Sequence, residues 1–151
     1  MEDEQTLAFI KAQAANARYV TSVCTGALVL GAAGLLKGKR ATTHWAYHEL
    51  LAPLGAIAVN DRVVRDGNLL TGGGITAGID FALTLAAELF DQATAERVQL
   101  QLEYAPAPPF QAGSPETAPA SVLEEARKRA AGSLQLRADI TERAAAKLDR
   151  P

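Results

Sequence analysis

The feature that most constrains this chain is the run of residues 18–34. Apolar, β-prone Tyr19-Val20-Thr21-Ser22-Val23 leads into the chain's single cysteine, Cys24, then Thr25-Gly26 and a small-residue stretch. The pattern predicts a strand, a sharp turn and a helix over residues 27–36, closed by Lys37-Gly38. A side chain on such a turn is pushed out at the carboxyl end of the strand, and the free N–H groups of the new helix point toward it. Those groups and the helix dipole favour a thiolate over a thiol, so the turn predicts an acidic, nucleophilic Cys24. A lone cysteine is more commonly a small buried hydrophobe. The turn, rather than the residue type, supports reactivity.

Composition limits what that cysteine can belong to. With 151 residues, 48% hydrophobic and 21% charged, the chain suits one domain over residues 1–151, a core over 1–120 and a helical region over 121–151. A net charge of −2 gives no electrostatic reason to expect nucleic acid or an anionic membrane as partner. One cysteine makes no internal disulfide, and neither a signal peptide nor an apolar run of membrane-spanning length is visible. These points predict a cytoplasmic protein.

In chain order, Leu7, Ile10 and Ala14 recur at helical spacing behind acidic Glu2-Asp3-Glu4, predicting a short amphipathic helix over residues 5–15. After the cysteine unit, residues 40–43 read as a short strand. His44-Trp45-Ala46-Tyr47-His48 enters another helix that stops near Pro53 and Gly55. Asp66-Gly67 between β-prone arms is a two-residue hairpin signal. The second arm, Asn68-Leu69-Leu70-Thr71, runs into Gly72-Gly73-Gly74-Ile75 and an apolar helix over residues 79–90. This repeats the strand, turn and helix of the cysteine unit. A helix over 93–102 capped by Thr94 or Asp91 follows, then a proline-rich loop over 104–119. Ser121-Val122-Leu123-Glu124 has the form of a capping box opening the last helical region, with Gly132 as a point of interruption.

The glycine turn has two uses. Side-chain-free N–H groups at a helix start can cradle an anion, yet there is no Gly-Lys-Ser/Thr of a P-loop and no acid placed for a ribose, so no cofactor is expected. The better use is close backbone approach, with an Ile75 or Gly74 N–H bonding a group at the neighbouring strand end. In an open α/β sheet both turns then lie at carboxyl ends of strands, where sites form. Tight turns needed only for helix packing are the plainer alternative.

Val23-Cys24-Thr25-Gly26, the stretch from Gly34 through Ala41-Thr42-Thr43-His44-Trp45, and Gly67 through Gly73-Gly74-Ile75 to Asp80-Phe81 together resemble the DJ-1/PfpI superfamily. Within it the chain most resembles the bacterial isocyanide hydratases, which share Tyr104 to Phe110 and Gly113 to Ala118. The resemblance runs over about residues 7–120. It implies a flavodoxin-like, class I glutamine amidotransferase-like α/β sandwich of three layers with a mainly parallel sheet, here lacking the first strands, and a homodimer. It also implies Cys24 as the nucleophile adding to an isocyanide, with Thr25 and Ile75 as catalytic partners. Gly73, Gly74 and His44 are the implied binding residues, and no metal takes part. Thr25 stands where protease-like members carry histidine, which argues against a peptidase. His44 is either a structural imidazole satisfying a backbone carbonyl or a proton carrier. His48 is expected on a helix surface, Trp45 and Tyr47 in packing or dimer contacts, and Asp80 and Glu88 as solvated helix charges.

In the hydratases an aspartate ending the first strand serves as general acid. None of Glu2, Asp3, Asp61 or Asp66 lies in a segment that matches it, and strands missing upstream of the elbow would leave an open sheet edge. The expectation is therefore a truncated hydratase with little activity alone. Two alternatives remain. One is a non-enzymatic ligand-sensing domain of the kind found in AraC-type regulators, which share the Cys-Thr-Gly turn. The other is a redox-sensing cysteine.

Overall fold

A computed structural model describes residues 1–148. The end of the predicted helical region, residues 149–151, lies outside the described residues. Helix α1 spans Glu4–Ala14. Its start follows from Asp3, whose carboxylate accepts from the Gln5 and Thr6 N–H groups and so satisfies two of the orphan donors of the first turn. The Thr6 hydroxyl, the largest influence, and those N–H groups hold the Asp3 carboxyl below its usual range.

Strand β1 (Val20–Val23) leads through the cysteine turn into α2 (Gly26–Ala32). Helix α2 ends before the predicted Lys37-Gly38. Gly34, with φ of +78°, turns the chain left-handed there, and the Gly34 and Leu35 N–H groups return to the Gly31 and Leu30 carbonyls. This paired closure stops a helix whose apolar sequence would otherwise continue. Strand β2 is only Arg40–Ala41, and a 3₁₀ helix covers Trp45–Leu54 with Gly55 just beyond it.

Strands β3 (Ile57–Ala58), β4 (Val63–Asp66) and β5 (Leu69–Gly72) complete the set. The hairpin is present, but its register pairs Asp66 with Leu69, so the two loop residues are Gly67 and Asn68. Gly67, at φ +63°, takes the left-handed position. The Asp66 carboxylate is thereby free to accept from the Arg40 N–H at 2.8 Å, which holds its carboxyl low and joins the hairpin to β2.

The main sheet has the order β1-β5-β4, with β1 and β5 parallel and β4 antiparallel to β5. Strands β2 and β3 form a separate parallel pair. All four residues of β5 are buried. Since neighbouring strand residues face opposite ways, both faces of the sheet are covered. Leu69 joins the core made with Leu28, Leu36, Leu51 and Leu54, while Gly72 faces Phe81 of α3 (Ala77–Leu89). Full burial of each such leucine contributes about 1.5–3 kcal/mol. Helices on both faces give the three-layer α/β arrangement.

Helix α4 (Gln92–Gln101) packs on α3 and is capped by Asp91, which accepts from the Thr94 N–H at 2.6 Å. Helix α5 runs without a break over Ala120–Leu148, across the 3₁₀ helix and α2. Two expectations fail here. The helix begins ahead of Ser121, and Glu124 pairs with Lys128 instead of closing a capping box. Gly132 does not interrupt it, because packing of the next turn offsets a glycine cost of about 1 kcal/mol. Tyr47 bonds Ser133 at 2.8 Å and carries the Arg137 guanidinium over its ring at 4.6 Å.

Candidate active site

Register brings the two turns together. Val23 pairs with Gly72, so the cysteine turn and the glycine turn leave adjacent parallel strands side by side at their carboxyl ends. Cys24 has φ of +57°, a left-handed conformation that costs a non-glycine residue about 1–3 kcal/mol. Three hydrogen bonds hold it there. Its N–H donates to the Gly72 and Gly73 carbonyls at 3.0 and 2.7 Å, and its carbonyl accepts from the Thr43 hydroxyl at 2.8 Å. The main chain is fixed and the partly exposed side chain is left over. Such local strain, held by its surroundings, is characteristic of a nucleophile elbow.

Thr25 follows as the first flanking residue of α2, and its hydroxyl makes no cap. Across the site, the Gly73 N–H donates to the Arg62 carbonyl at 2.9 Å, and the Gly74 carbonyl accepts from Ala77 at the start of α3. Ile75 is 80% exposed, and its N–H is committed to no hydrogen bond among the described residues. The same holds for the Thr25 N–H. One uncommitted main-chain donor thus follows Cys24 directly, and another lies in the turn that leaves the neighbouring strand. Among the described residues no hydrogen bond reaches the cysteine sulfur itself, and no cluster of three or more potential ligands is placed to hold a metal.

His44 packs against this turn. A Cβ added to Gly74 would sit 3.4 Å from its Cδ2, an ordinary van der Waals contact, so the ring lies directly against the glycine turn. Its Nδ1 accepts from the Ala46 N–H at 3.2 Å and caps the 3₁₀ helix. Burial pushes this imidazole below its ordinary pKa, which keeps Nδ1 free to accept. The structural partner is therefore an N–H, not the expected carbonyl. The carbonyl partner belongs to His48, whose Nε2 lies 2.9 Å from the Val59 oxygen.

The proline-rich loop does more than cross the surface. Glu116 accepts from the Asn60 side chain at 2.7 Å, and residues 114–116 close a cleft of about 310 Å³ over Gly73 and Gly74. Thr43, Asp61 and Arg62 also line it. Asp80 and Glu88 are not freely solvated helix charges. Asp80 binds the Arg62 guanidinium at 2.5 Å and the Tyr104 hydroxyl at 3.1 Å, and Glu88 binds Arg65 and the Tyr19 hydroxyl. Sequence reasoning also missed the threonines beneath the site. Thr43 fixes the cysteine carbonyl, and buried Thr71 accepts from the Thr42 N–H at 2.9 Å. The Ala41-Thr42-Thr43-His44 segment was the available signal, but nothing in it says which carbonyl a hydroxyl reaches.

A strained cysteine on a strand-to-helix turn, beside a glycine turn on the adjacent parallel strand, defines an α/β protein of the cysteine-elbow class. Residues 1–88 match the DJ-1/PfpI family, and the chain belongs to it. It is 79% identical to the isonitrile hydratase of Pseudomonas putida over 149 residues, 99% of this chain and 65% of that protein. It is 38% identical to the DJ-1 homolog A of Arabidopsis thaliana over 66% of this chain and 26% of that one. The crystal structure of a THiJ/PfpI family protein from Pseudomonas syringae superposes with a TM-score of 0.85 at 50% identity, covering 98% of this chain and 58% of the other. This chain therefore spans somewhat less than two thirds of the length of these bacterial relatives.

Proposed function

We propose that the protein hydrates an isocyanide (isonitrile) to an N-substituted formamide, with Cys24 as covalent nucleophile. The observation that carries this reading is the strained Cys24 beside uncommitted main-chain donors, in a chain 79% identical to an isonitrile hydratase. The thiolate adds to the terminal isocyanide carbon, forming a C–S bond, and that carbon takes a proton to give a thioimidate. Water adds to the thioimidate carbon while nitrogen is protonated. The C–S bond then breaks, releasing the formamide and regenerating the cysteine. Covalent addition divides one difficult hydration into easier steps.

In this reading the N–H of Ile75 and that of Thr25 stabilise the sulfur, Gly73 and Gly74 admit the substrate beside it, and neutral His44 positions Gly74. A homodimer in the cytoplasm completes the proposal. Among the described residues no helix is long and apolar enough to cross a membrane. The sensing alternative gains nothing from α5, because its described residues form one continuous helix, not a tandem helix-turn-helix.

Mass spectrometry after incubation with cyclohexyl isocyanide tests the nucleophile. The expected result is a gain of one isocyanide mass on Cys24, with formamide released slowly and both lost in Cys24→Ser. Formamide production that survives Cys24→Ser overturns the proposal.

A further inference from the structure

We infer that Arg62 is the positioning residue of the glycine turn: it grips residues 73–76 at both ends and so sets where the Ile75 N–H is presented. This rests on the hydratase reading, in which that donor serves the Cys24 sulfur. Arg62 stands just ahead of β4, and its main-chain carbonyl accepts from the Gly73 N–H at 2.9 Å. Its guanidinium reaches the far end of the same turn. Nη2 donates to the Thr76 hydroxyl at 3.3 Å, and Nε donates to the carboxylate of Asp80, in the first turn of α3, at 2.5 Å. Thr76 makes no side-chain cap for α3, so its hydroxyl is available to Arg62. The Tyr104 hydroxyl lies 3.1 and 3.2 Å from the two Asp80 oxygens and holds the carboxylate in place.

The gripped segment is tied directly to the nucleophile. The Gly73 carbonyl accepts from the Cys24 N–H at 2.7 Å, so Gly73 alone stands between the Arg62 carbonyl and the cysteine main chain. Between the two grips lie Gly74 and Ile75, and a glycine has more backbone freedom than any other residue. A donor on wandering main chain is poorly presented, whereas one fixed in advance costs no reorganisation when charge develops on sulfur. A planar guanidinium engages two acceptors in a fixed fork, which a lysine ammonium does not reproduce. Arg65 supplies the contrast. It too joins β4 to α3, through Glu88, and its Nε bonds the Gly67 carbonyl, but neither side-chain bond reaches residues 73–76. Both arginine side chains are about half exposed, so each ion pair by itself adds little stability. Only the Arg62 pair is attached to the turn beside Cys24.

Alkylation of Cys24, the chain's single thiol, needs no turnover and provides the test. Wild type, Arg62→Ala, Arg62→Lys and Arg65→Ala are treated with iodoacetamide near pH 6 and at about pH 9.5, conditions under which an ordinary cysteine is respectively protonated and ionised. Circular dichroism and closely similar urea midpoints should show all four folded. Near pH 6 the rate depends on how well the thiolate is stabilised, and Arg62→Ala should react at least ~5-fold more slowly than wild type. At the higher pH the rates should converge, which a general loosening of the fold would not produce. Arg62→Lys keeps the charge but not the fork and should recover less than half of the loss, while Arg65→Ala should match wild type. Equal rates for wild type and Arg62→Ala near pH 6, an equal loss in Arg65→Ala, or full recovery in Arg62→Lys overturns the assignment. If Arg62→Ala does not fold, Asp80→Ala, which releases the guanidinium, is read in its place with the same expectation. Formamide release from cyclohexyl isocyanide separates the two readings: kcat should fall about 10-fold in Arg62→Ala with KM little changed. Turnover by wild type without the alkylation difference removes the role of Arg62 and leaves the hydratase reading. The alkylation difference without any turnover by wild type supports the grip on the turn and removes that reading.

Discussion

The two edges of β1 differ sharply. On one side, Val20 to Val23 run in parallel register with Leu69 to Gly72, and Cys24 continues the ladder with two more hydrogen bonds. On the other side no strand pairs with β1 among the described residues, and Phe9, Ile10, Val20 and Leu30 line an open groove. The paired edge converts local strain at one residue into a fixed geometry. The open edge contributes apolar surface and unpaired main chain, features that favour association. The nucleophile is therefore held from the end of β5 and from Thr43, and nothing described on the open side shapes it.

Four changes would break or sharpen that contrast. Cys24→Ser has the largest effect: it should lower any isocyanide turnover by on the order of 10³-fold or more while leaving the paired edge intact, measured by formamide release and thermal unfolding. Thr71→Val comes next. It leaves the buried Thr42 N–H without its acceptor, and an unfolding midpoint in urea should register a loss of about 1–3 kcal/mol. A loss far below 1 kcal/mol would show that the threonines do not brace the elbow.

Acidification should act more gently through His44. Its folded-state pKa lies below the ordinary 6.5, so the unfolded chain takes up the proton first. The His44 contribution is fully present above about 6.5 and is lost as pH falls from there through the depressed folded value. His44→Asn, which can still cap a helix start, should flatten the stability profile in that window. The smallest effect on stability is expected from Thr21→Lys on the open edge, within ~0.5 kcal/mol. It should nevertheless reduce self-association in analytical ultracentrifugation, because a charged side chain blunts an edge strand. Equal association in both proteins would show that the open edge does not mediate it.

Much of this was legible beforehand because it depends on neighbours in sequence. Asp3 and Asp91 stand before their helices, Gly67 stands in the hairpin, and the cysteine and glycine turns each follow a β-prone run. The misses have long-range causes. Helix α2 ended early because Gly34 turned left-handed, and α5 passed through Gly132 because Tyr47 and Arg137 grip the following turn. Asp80 and Glu88 looked like helix surface until Arg62 and Arg65 of the hairpin region folded back on them. His44 was recognised as structural or catalytic, but its partner depends on the 3₁₀ geometry of the next residues.

By itself the sequence determined that a cysteine and a run of glycines would each sit at a strand-to-helix turn, since hydrophobic patterning and small residues suffice for that. Only the tertiary structure decided that the two turns are neighbours. The parallel pairing of β1 with β5 joins segments about fifty residues apart, and the register of Val23 with Gly72 places the Cys24 N–H on the Gly72 and Gly73 carbonyls. Strain at Cys24 persists because those distant carbonyls and the Thr43 hydroxyl outweigh its local cost. Local sequence can specify a turn, but holding it in a strained conformation takes partners from elsewhere in the chain.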